Sequence, residues 1–428
     1  MSNFARNTRR EHAAPAFSTV KRVLAMLLIC VIAIGVKAQN IFRENPADLK
    51  ISLITFFPGH EVYELEGHTA LRMESPTADE SINWGMFNFN APGFIYRFVK
   101  GETDYSIGMF PWDLFKREYI NDGRRIVEQT LNLTPEQKAR LMALIEENMT
   151  PRNRVYRYNY VKDNCATRPL AIIERALGDS LCLKSPEVIA ENPNLKSFRD
   201  FMTFYHKNYP WYQFGIDLAL GSGIDYELTI REMAFAPVVL FDEIADARIG
   251  SPDGPQLVSS TEVLNDVSEI NAVLEPTPWY LTPVFVCWAL SIVLGGYIVW
   301  SVKRKQKYPR ALASIFFALL GLTGLLLTFL IFVSVHEATS PNWNYFWLNP
   351  LALIPVITIW SKRLDKFTRW YFAINLPCDF IMILVWILGI QAMNQAFLPL
   401  VLLSMCFSAL FLYINPLPRI NKILPSVR

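Results

Sequence analysis

One cysteine and one histidine in the N-terminal half of the chain have the side chains and surroundings for covalent chemistry. Cys165 lies in the polar segment 163–168, at the start of a predicted helix, and His68 follows a glycine at the start of a predicted strand. A thiol becomes a strong nucleophile when a helix N-terminus favours the thiolate or a nearby imidazole takes its proton. The two residues therefore predict a cysteine nucleophile with a histidine base, although only the fold can bring them together.

A catalytic imidazole needs a third group that orients it. Asn83, on the next predicted strand, is the first choice for this role, and Tyr63 is the alternative. Backbone N–H groups at the start of the helix after Cys165 would stabilise a thiolate or an oxyanion. Asn164 and Arg168, on either side of the cysteine, are expected to bind substrate.

Other uses of the cysteine and of the remaining histidines stay open. Cys165 could be a small buried residue at a helix start, or it could form a disulfide with Cys182 in an exported domain. His60 follows a Pro-Gly turn and is expected in a solvated loop, whereas His206 lies in an aromatic helical region and is expected to be structural. A zinc site is another possible use of these residues, with His60, His68 and either Cys165 or Glu61 as ligands. The spacing of the two histidines matches no common zinc motif, so neither a metal nor a cofactor is expected.

The composition divides the chain into a soluble part and a membrane part. Hydrophobic residues make up 52% of the 428 residues, charged residues 19%, and the mean hydropathy is +0.20. These values lie on the membrane side of ordinary globular composition. The net charge of +2, without a long basic stretch that is interleaved with aromatic residues, gives no support to a nucleic-acid partner.

The N-terminus has the pattern of a secretory signal, assigned to residues 1–38. A basic flank precedes an apolar run at 23–36, and small residues surround a possible cut after Ala38. The run is shorter than the roughly 20 apolar residues of a spanning helix, although an uncleaved anchor is the alternative. In both cases the following domain, residues 39–250, is exported.

Five apolar segments predict a five-helix transmembrane bundle at residues 279–415. They cover 279–302, 311–335, 348–360, 370–391 and 396–413, and the short third segment could be tilted, kinked or partly re-entrant. Basic clusters at 303–310, 362–369 and 419–428 all fall on one side, which the positive-inside rule makes cytoplasmic, including the tail 416–428. A Pro-, Ser- and acid-rich linker, 251–278, joins the bundle to the exported domain.

The loop after the second segment faces the same side as the exported domain. His336, Asn342 and Asn344 could hold a polar substrate group there, near the lipid headgroups. The alternative is that the tryptophans and tyrosines of this loop are ordinary interfacial anchors.

The exported domain is predicted to have an α+β fold. Strands are expected at 49–57, 67–73, 81–87, 125–131 and 154–160, with helices at 134–148 and 165–177. Thr134-Pro135 predicts the start of the first helix, and Gly178 the end of the second.

Several of these segments resemble the Lnb-type bacterial lipoprotein N-acyltransferases. The matching stretches are 55–59, 67–72, 84–87, 97–101 and 163–168 in the exported domain and 342–350 in the membrane part, so the resemblance covers nearly the whole chain after the signal. The order of histidine before cysteine is also similar to the permuted papain-like group, which includes NlpC-type peptidases and lecithin–retinol acyltransferase (LRAT).

The resemblance implies a permuted papain-like periplasmic domain on the bacterial inner membrane. It also implies that a fatty acyl chain passes from a phospholipid donor, through a Cys165 thioester with His68 as base, to the terminal amine of a lipoprotein acceptor. Two alternatives remain: a cell-wall cysteine peptidase or amidase that uses the same pair, and a non-catalytic membrane scaffold.

Overall fold

The computed structural model describes residues 40–178, 180–267, 276–305 and 307–416. The predicted signal or anchor at 1–38, with its Cys30, lies outside the described residues, as do Arg419, Lys422 and Arg428 of the predicted tail. We call residues 40–267 the N-terminal domain and residues 276–416 the membrane domain.

A seven-stranded antiparallel sheet organises the N-terminal domain, in the order β6-β4-β3-β2-β1-β5-β9. Its strands are β1 Lys50–Phe56, β2 His68–Glu74, β3 Asp79–Met86, β4 Asp104–Pro111, β5 Ile126–Leu131, β6 Val155–Arg157 and β9 Val258–Asn265, while β7 Leu181–Cys182 and β8 Arg248–Ile249 form a separate pair. The central strand β1 is buried from Ile51 to Phe56, which explains its nearly continuous apolar sequence.

Nine helices of the described N-terminal domain connect and cover these strands. They are α1 Phe94–Lys100, α2 Trp112–Asn121, α3 Pro135–Met149, α4 Thr167–Leu177, α5 Glu187–Glu191, α6 Phe198–Tyr205, α7 Pro210–Ala219, α8 Ile230–Met233 and α9 Pro237–Ala245, with short 3₁₀ turns at Ile41–Arg43, Pro46–Asp48 and Ser222–Ile224. Helix α3 begins as its sequence predicts. Pro135 occupies the first helical position, and the N-cap Thr134 forms a capping box with Gln137 at the third.

The main core lies between the sheet and the helices α3 and α4. Leu141 of α3 and Leu170 of α4 are fully buried in one cluster with Leu71, Ile82 and Trp84 of the sheet. Helix α4 therefore has a fixed position over β2 and β3, which fixes the segment that precedes it.

Two regions differ from the sequence-based expectations. The segment 94–121 forms α1, β4 and α2, which the pattern of apolar residues did not predict. Residues 251–278 are not only a linker, since β9 pairs with β5 at the edge of the sheet. Most of the β9 side chains are exposed, so the strand lacks the alternation of buried apolar residues that makes a strand recognisable.

The described part of the membrane domain has four helices that are long and apolar enough to span a membrane, where five were predicted. Its helices are α10 Pro283–Lys305, α11 Arg310–Phe332, α12 Leu353–Thr358, α13 Asp365–Ile387 and α14 Phe397–Ile414, with 3₁₀ turns at Trp279–Leu281, Glu337–Thr339, Trp343–Phe346, Pro350–Ala352 and Lys362–Leu364. The predicted third segment is not a continuous helix, because α12 has only 6 residues.

The broken third segment lies along the length of α11. The ring of Tyr345 contacts that of Phe332 near the end of α11, and the backbone carbonyl of Val356 accepts a hydrogen bond from Ser314 near its start. Pro350 and Pro355 each remove a backbone donor from this segment, which is a physical reason for the succession of short turns. The chain thereby returns to the basic end of the bundle before α13 begins.

The other end of the bundle contacts the N-terminal domain. The indole of Trp211 donates to the carbonyl of Leu281 just before α10, the amide of Val335 after α11 donates to Lys100, and the amide of Ala392 before α14 donates to Asp225. The described residues of the basic clusters 303–310 and 362–369 lie at the opposite ends of these helices, so the structure agrees with the orientation that these charges predict.

A buried ion-pair network inside the N-terminal domain accepts hydrogen bonds from the membrane domain. Arg199 lies 2.9 Å from Asp217 and 2.6 Å from Asp225, and all three side chains are almost fully buried. Asn394 of the membrane domain donates to the second carboxylate oxygen of Asp217 at 3.0 Å. The charges are therefore paired and hydrogen-bonded across the interface, as buried charges must be.

We expect Asp217→Ala to destabilise the protein by about 3–5 kcal/mol, because it leaves buried hydrogen-bond donors around a weakened ion pair. Asp246→Ala is the matched control: Asp246 lies 4.0 Å from Lys184 on the surface and should contribute less than about 1 kcal/mol. Thermal unfolding of the full chain in detergent measures both changes, and equal effects of the two variants would contradict a buried coupling at the interface.

Candidate active site

The sheet brings His68 and Asn83 into direct contact. They lie on the adjacent strands β2 and β3, where Ala70 is paired with Asn83. The distance between His68 Nε2 and Asn83 Oδ1 is 2.7 Å. Because the amide oxygen only accepts, Nε2 donates and carries the proton, so the lone pair of the neutral ring lies on Nδ1. The alternative orienting residue, Tyr63, is exposed and contacts the ring of Phe89.

An irregularity in β3 makes space for the cysteine. The register between β3 and β4 shifts between Asn83 and Met86, and Gly85 has a φ of +90°. A Cβ atom at Gly85 would lie 3.8 Å from the Cβ of Cys165 and 3.4 Å from the ring of Tyr158. The cysteine therefore packs directly against the bulge of the strand that carries Asn83.

The contacts of the thiol place it beside the histidine strand. The backbone N–H of Thr69, the residue after His68, donates a hydrogen bond to the Cys165 sulfur, and the Tyr158 hydroxyl donates another. Only 8% of Cys165 is exposed. The Cys165 sulfur therefore lies at the start of β2 beside Thr69, the neighbour of His68, and His68 in turn contacts Asn83 on β3.

Burial controls the charge of this group. It raises the pKa of Cys165 to about 11, against a smaller lowering by the hydrogen bonds from Thr69 and Tyr158. Burial also lowers the pKa of His68 to about 4, which the hydrogen bond with Asn83 only partly opposes. At neutral pH the pair is therefore a thiol and a neutral imidazole, and the thiolate that the helix N-terminus was expected to favour is not the resting form.

Asn164 holds the turn that presents the cysteine. Its side-chain oxygen accepts from the backbone N–H groups of Ala166 and Thr167 at 2.8 and 2.9 Å, and its amide donates to the carbonyls of Tyr160 and Phe235. Helix α4 begins at Thr167, two residues after Cys165. The structure thus gives Asn164, which was expected to bind substrate, a full set of partners within the protein, and its cap occupies the first amides of the helix.

Arg168 is also held within the protein. Its guanidinium forms a two-pronged ion pair with Asp163, at 2.5 and 2.7 Å, and lies 3.3 Å from the ring centroid of Tyr156. These contacts account for its orientation without a substrate, and they stiffen the loop on both sides of Cys165.

The three predicted substrate-binding residues of the membrane loop lie at the domain interface. His336 Nε2 donates to the carbonyl of Phe98 at 2.8 Å. The amide of Asn342 donates to the carbonyls of Leu218 and Ala219, and that of Asn344 to the carbonyl of Asp217. Both asparagines are buried, so the structure shows these residues attaching the two domains to each other.

Sequence reasoning missed a second buried polar group behind the cysteine. Tyr160 donates a hydrogen bond to the carboxyl of Glu66, and His206 Nε2 lies 3.6 Å from the other oxygen of that carboxyl. Burial raises the pKa of Glu66 to about 7 and lowers that of His206 to about 4. Their positions in the sequence gave no signal of this contact, although His206 was expected to be structural.

The structure also shows the surroundings of His60 and of the two cysteines of the N-terminal domain. His60 is half exposed and lies 3.8 Å from Glu61 at the surface. Cys165 and Cys182 are both free thiols, so the structure does not join them in a disulfide.

Two family models match the chain. That of the Lnb N-terminal periplasmic domain matches residues 42–197, which include His68, Asn83 and Cys165, and that of the Lnb transmembrane domain matches residues 275–416. No curated protein and no solved structure matches the chain.

We expect Cys165 to be alkylated slowly at neutral pH. Its pKa is raised from 9.0 to about 11, so its thiolate fraction near pH 7.5 should be about 100-fold lower than that of an unshifted thiol. The rate should rise about tenfold per pH unit up to about pH 11. Peptide mapping after timed iodoacetamide treatment separates Cys165 from Cys182, and a plateau beginning near pH 7 would show a preformed thiolate instead.

We expect Gly85→Ala to cost about 1–3 kcal/mol, because a non-glycine residue at a φ of +90° is strained. Gly215→Ala is the matched control: Gly215 lies in α7 with open space where a Cβ would lie, so alanine should be neutral or stabilise the helix by less than about 1 kcal/mol. Thermal unfolding measures both, and an unchanged midpoint for Gly85→Ala would contradict the strained bulge.

Proposed function

The chain belongs to the Lnb family, with its periplasmic domain carried on a transmembrane domain, and on that premise we propose that it is a cysteine-dependent lipoprotein N-acyltransferase. The donor would be a phospholipid of the inner membrane and the acceptor the terminal amine of a lipoprotein. The observation that supports the proposal is the position of the Cys165 sulfur beside Thr69, next to the His68–Asn83 pair, in a domain that contacts the outward ends of the membrane helices.

The first half of the reaction forms a thioester. His68 Nδ1 takes the thiol proton as the Cys165 sulfur attacks the carbonyl carbon of a phospholipid ester. The tetrahedral intermediate then collapses, the ester C–O bond breaks, and the lysophospholipid alcohol leaves with the proton from His68. A neutral thiol and a neutral imidazole suit this route, because the proton moves only when the substrate is in place.

The second half transfers the acyl chain. The neutral terminal amine of the lipoprotein attacks the thioester carbonyl and forms the amide, while Cys165 leaves as a thiolate. The amine gives up a proton through His68, which returns it to the sulfur, so the enzyme ends as it began. Asn83 acts as a positioning residue, because its oxygen keeps the proton of the ring on Nε2 and the base on Nδ1.

The oxyanion of both tetrahedral intermediates needs hydrogen-bond donors near the sulfur. Asn164 already occupies the amides of Ala166 and Thr167, so the helix start is less available than its sequence suggested. The backbone N–H groups of Thr69 and Cys165 and the Tyr158 hydroxyl are the donors that the contacts of the thiol indicate. We assign them this role.

The arrangement of elements supports a permuted papain-like fold. The histidine lies on β2, its partner on β3, and the cysteine precedes the helix α4 that packs on the same sheet. This is the reverse of the order in papain-like enzymes whose cysteine comes first in the chain. The membrane domain gives the proposal its substrate class, because both proposed substrates are amphiphiles of one membrane surface.

The test is the covalent intermediate. The full chain in phosphatidylethanolamine vesicles should gain the mass of one fatty acyl group on Cys165, and hydroxylamine should remove it. Cys165→Ala should abolish the adduct and His68→Ala should slow its formation by about 100-fold or more. Cys182→Ala is the matched control and should behave as the unaltered chain does.

The acceptor is tested separately. Mass spectrometry of lipoprotein N-termini should show triacylated forms that disappear when Cys165→Ala replaces the unaltered protein. An adduct derived from a cell-wall stem peptide would support the peptidase alternative, and normal triacylation with Cys165→Ala would favour the scaffold.

A further inference from the structure

An exposed apolar surface lies on α1 and the loop before it. Phe89, Ile95, Tyr96 and Phe98 are 60%, 78%, 56% and 48% exposed. We call these four residues the α1 surface. Scattered apolar residues are ordinary on soluble proteins, but four large ones within ten positions form a patch of the kind that contacts another molecule.

The α1 surface lies at the level where the membrane helices end. The ring of Tyr96 is 5.9 Å from that of Phe329 in the last turn of α11. The carboxyl end of α1 is attached to the segment after α11, because Ser334 donates to the carbonyl of Val99 and Val335 to that of Lys100. The helix is therefore fixed beside a membrane-spanning helix at its outward end.

A continuous series of aromatic rings connects this surface to the thiol. The ring of Phe94 in α1 lies 5.7 Å from that of Phe87, and Phe87 lies 5.0 Å from Tyr105. Tyr105 stacks on Tyr158 at 4.4 Å, and the hydroxyl of Tyr158 donates to the Cys165 sulfur. Adjacent aromatic side chains, which we call the aromatic path, therefore extend from α1 to the Cys165 sulfur.

The two cationic side chains of α1 are paired with carboxylates of the protein. Arg97 lies 2.6 Å from Asp104, and Lys100 lies 2.8 Å from Glu102, so both cations of the helix are paired within the protein. The surface therefore offers an apolar contact instead of a site for an anionic headgroup.

We propose that the α1 surface is immersed in the outer leaflet and seats the acyl chain of the lipid whose ester reaches Cys165 along the aromatic path. This inference rests on the proposed function and gives the donor site a location. The occupant is a membrane lipid tail because the surface continues directly from α11, a helix that is apolar enough to span the membrane.

The test uses a phospholipid with a photoreactive diazirine on its acyl chain. The full chain carrying Cys165→Ala, which cannot form an adduct, is placed in phosphatidylethanolamine vesicles that contain this lipid, and cross-linked peptides are mapped. We expect label on residues 87–98. The double variant Phe89→Asn, Ile95→Asn should lower that label about tenfold, because two exposed apolar contacts with the lipid are lost.

Val263→Asn is the matched control. Val263 is 44% exposed on β9, at the other edge of the sheet from β4 and β6, and its replacement should leave the label on 87–98 unchanged. Label confined to α10, α11, α13 and α14 would overturn the proposal and leave the surface to a protein partner. Label on 87–98 without any acyl adduct on Cys165 of the otherwise unaltered chain would support the lipid seat and contradict the proposed acyl transfer.

Discussion

The hydrogen bonds between the Arg199 network and the membrane domain are the buried polar contact that fixes how the two domains meet. Arg199 pairs with Asp217 and Asp225 inside the periplasmic domain, and these carboxylates also accept from Asn394 and Ala392 of the membrane domain. Because a buried carboxylate that loses a hydrogen-bond donor is destabilised, these contacts favour one relative position of the two domains. The Cys165 site is thereby held in one place relative to the ends of the membrane helices, as the proposed transfer from a lipid ester requires.

Burial keeps both the Cys165 thiol and the His68 imidazole neutral, so the two groups do not form an ion pair. The thiol lies against a strand bulge and the imidazole between aromatic side chains, where neither charge is well solvated. Asn83 then decides which ring nitrogen is basic. The geometry and the shifted pKa values are compatible with the proposed chemistry, in which His68 takes the thiol proton once the substrate has bound.

The candidate catalytic residues could be predicted from residue types, but the hydrogen-bond partners of the residues around them could not. His68, Cys165 and Asn83 lie where strong local signals predicted two strands and a helix start, so their side chains could be assigned to neighbouring elements. The contacts of Asn164, Asn342 and Asn344 could not be predicted, because only the fold shows that their side-chain amides donate to backbone carbonyls. Strand β9 was not predicted, since an exposed edge strand leaves no clear periodicity. For the third apolar segment a kinked or re-entrant form was among the expectations, and the structure shows short turns around one 6-residue helix there.

The protonated state of Cys165 has a consequence for the durability of the protein. Thiolates, not thiols, are the species that peroxides oxidise and that attack disulfides. A periplasmic domain works in a compartment that oxidises cysteines, and a cysteine that stays protonated escapes most of that damage. The bulge at Gly85 and the ring of Tyr158 thus act as a shield for the sulfur as well as its seat.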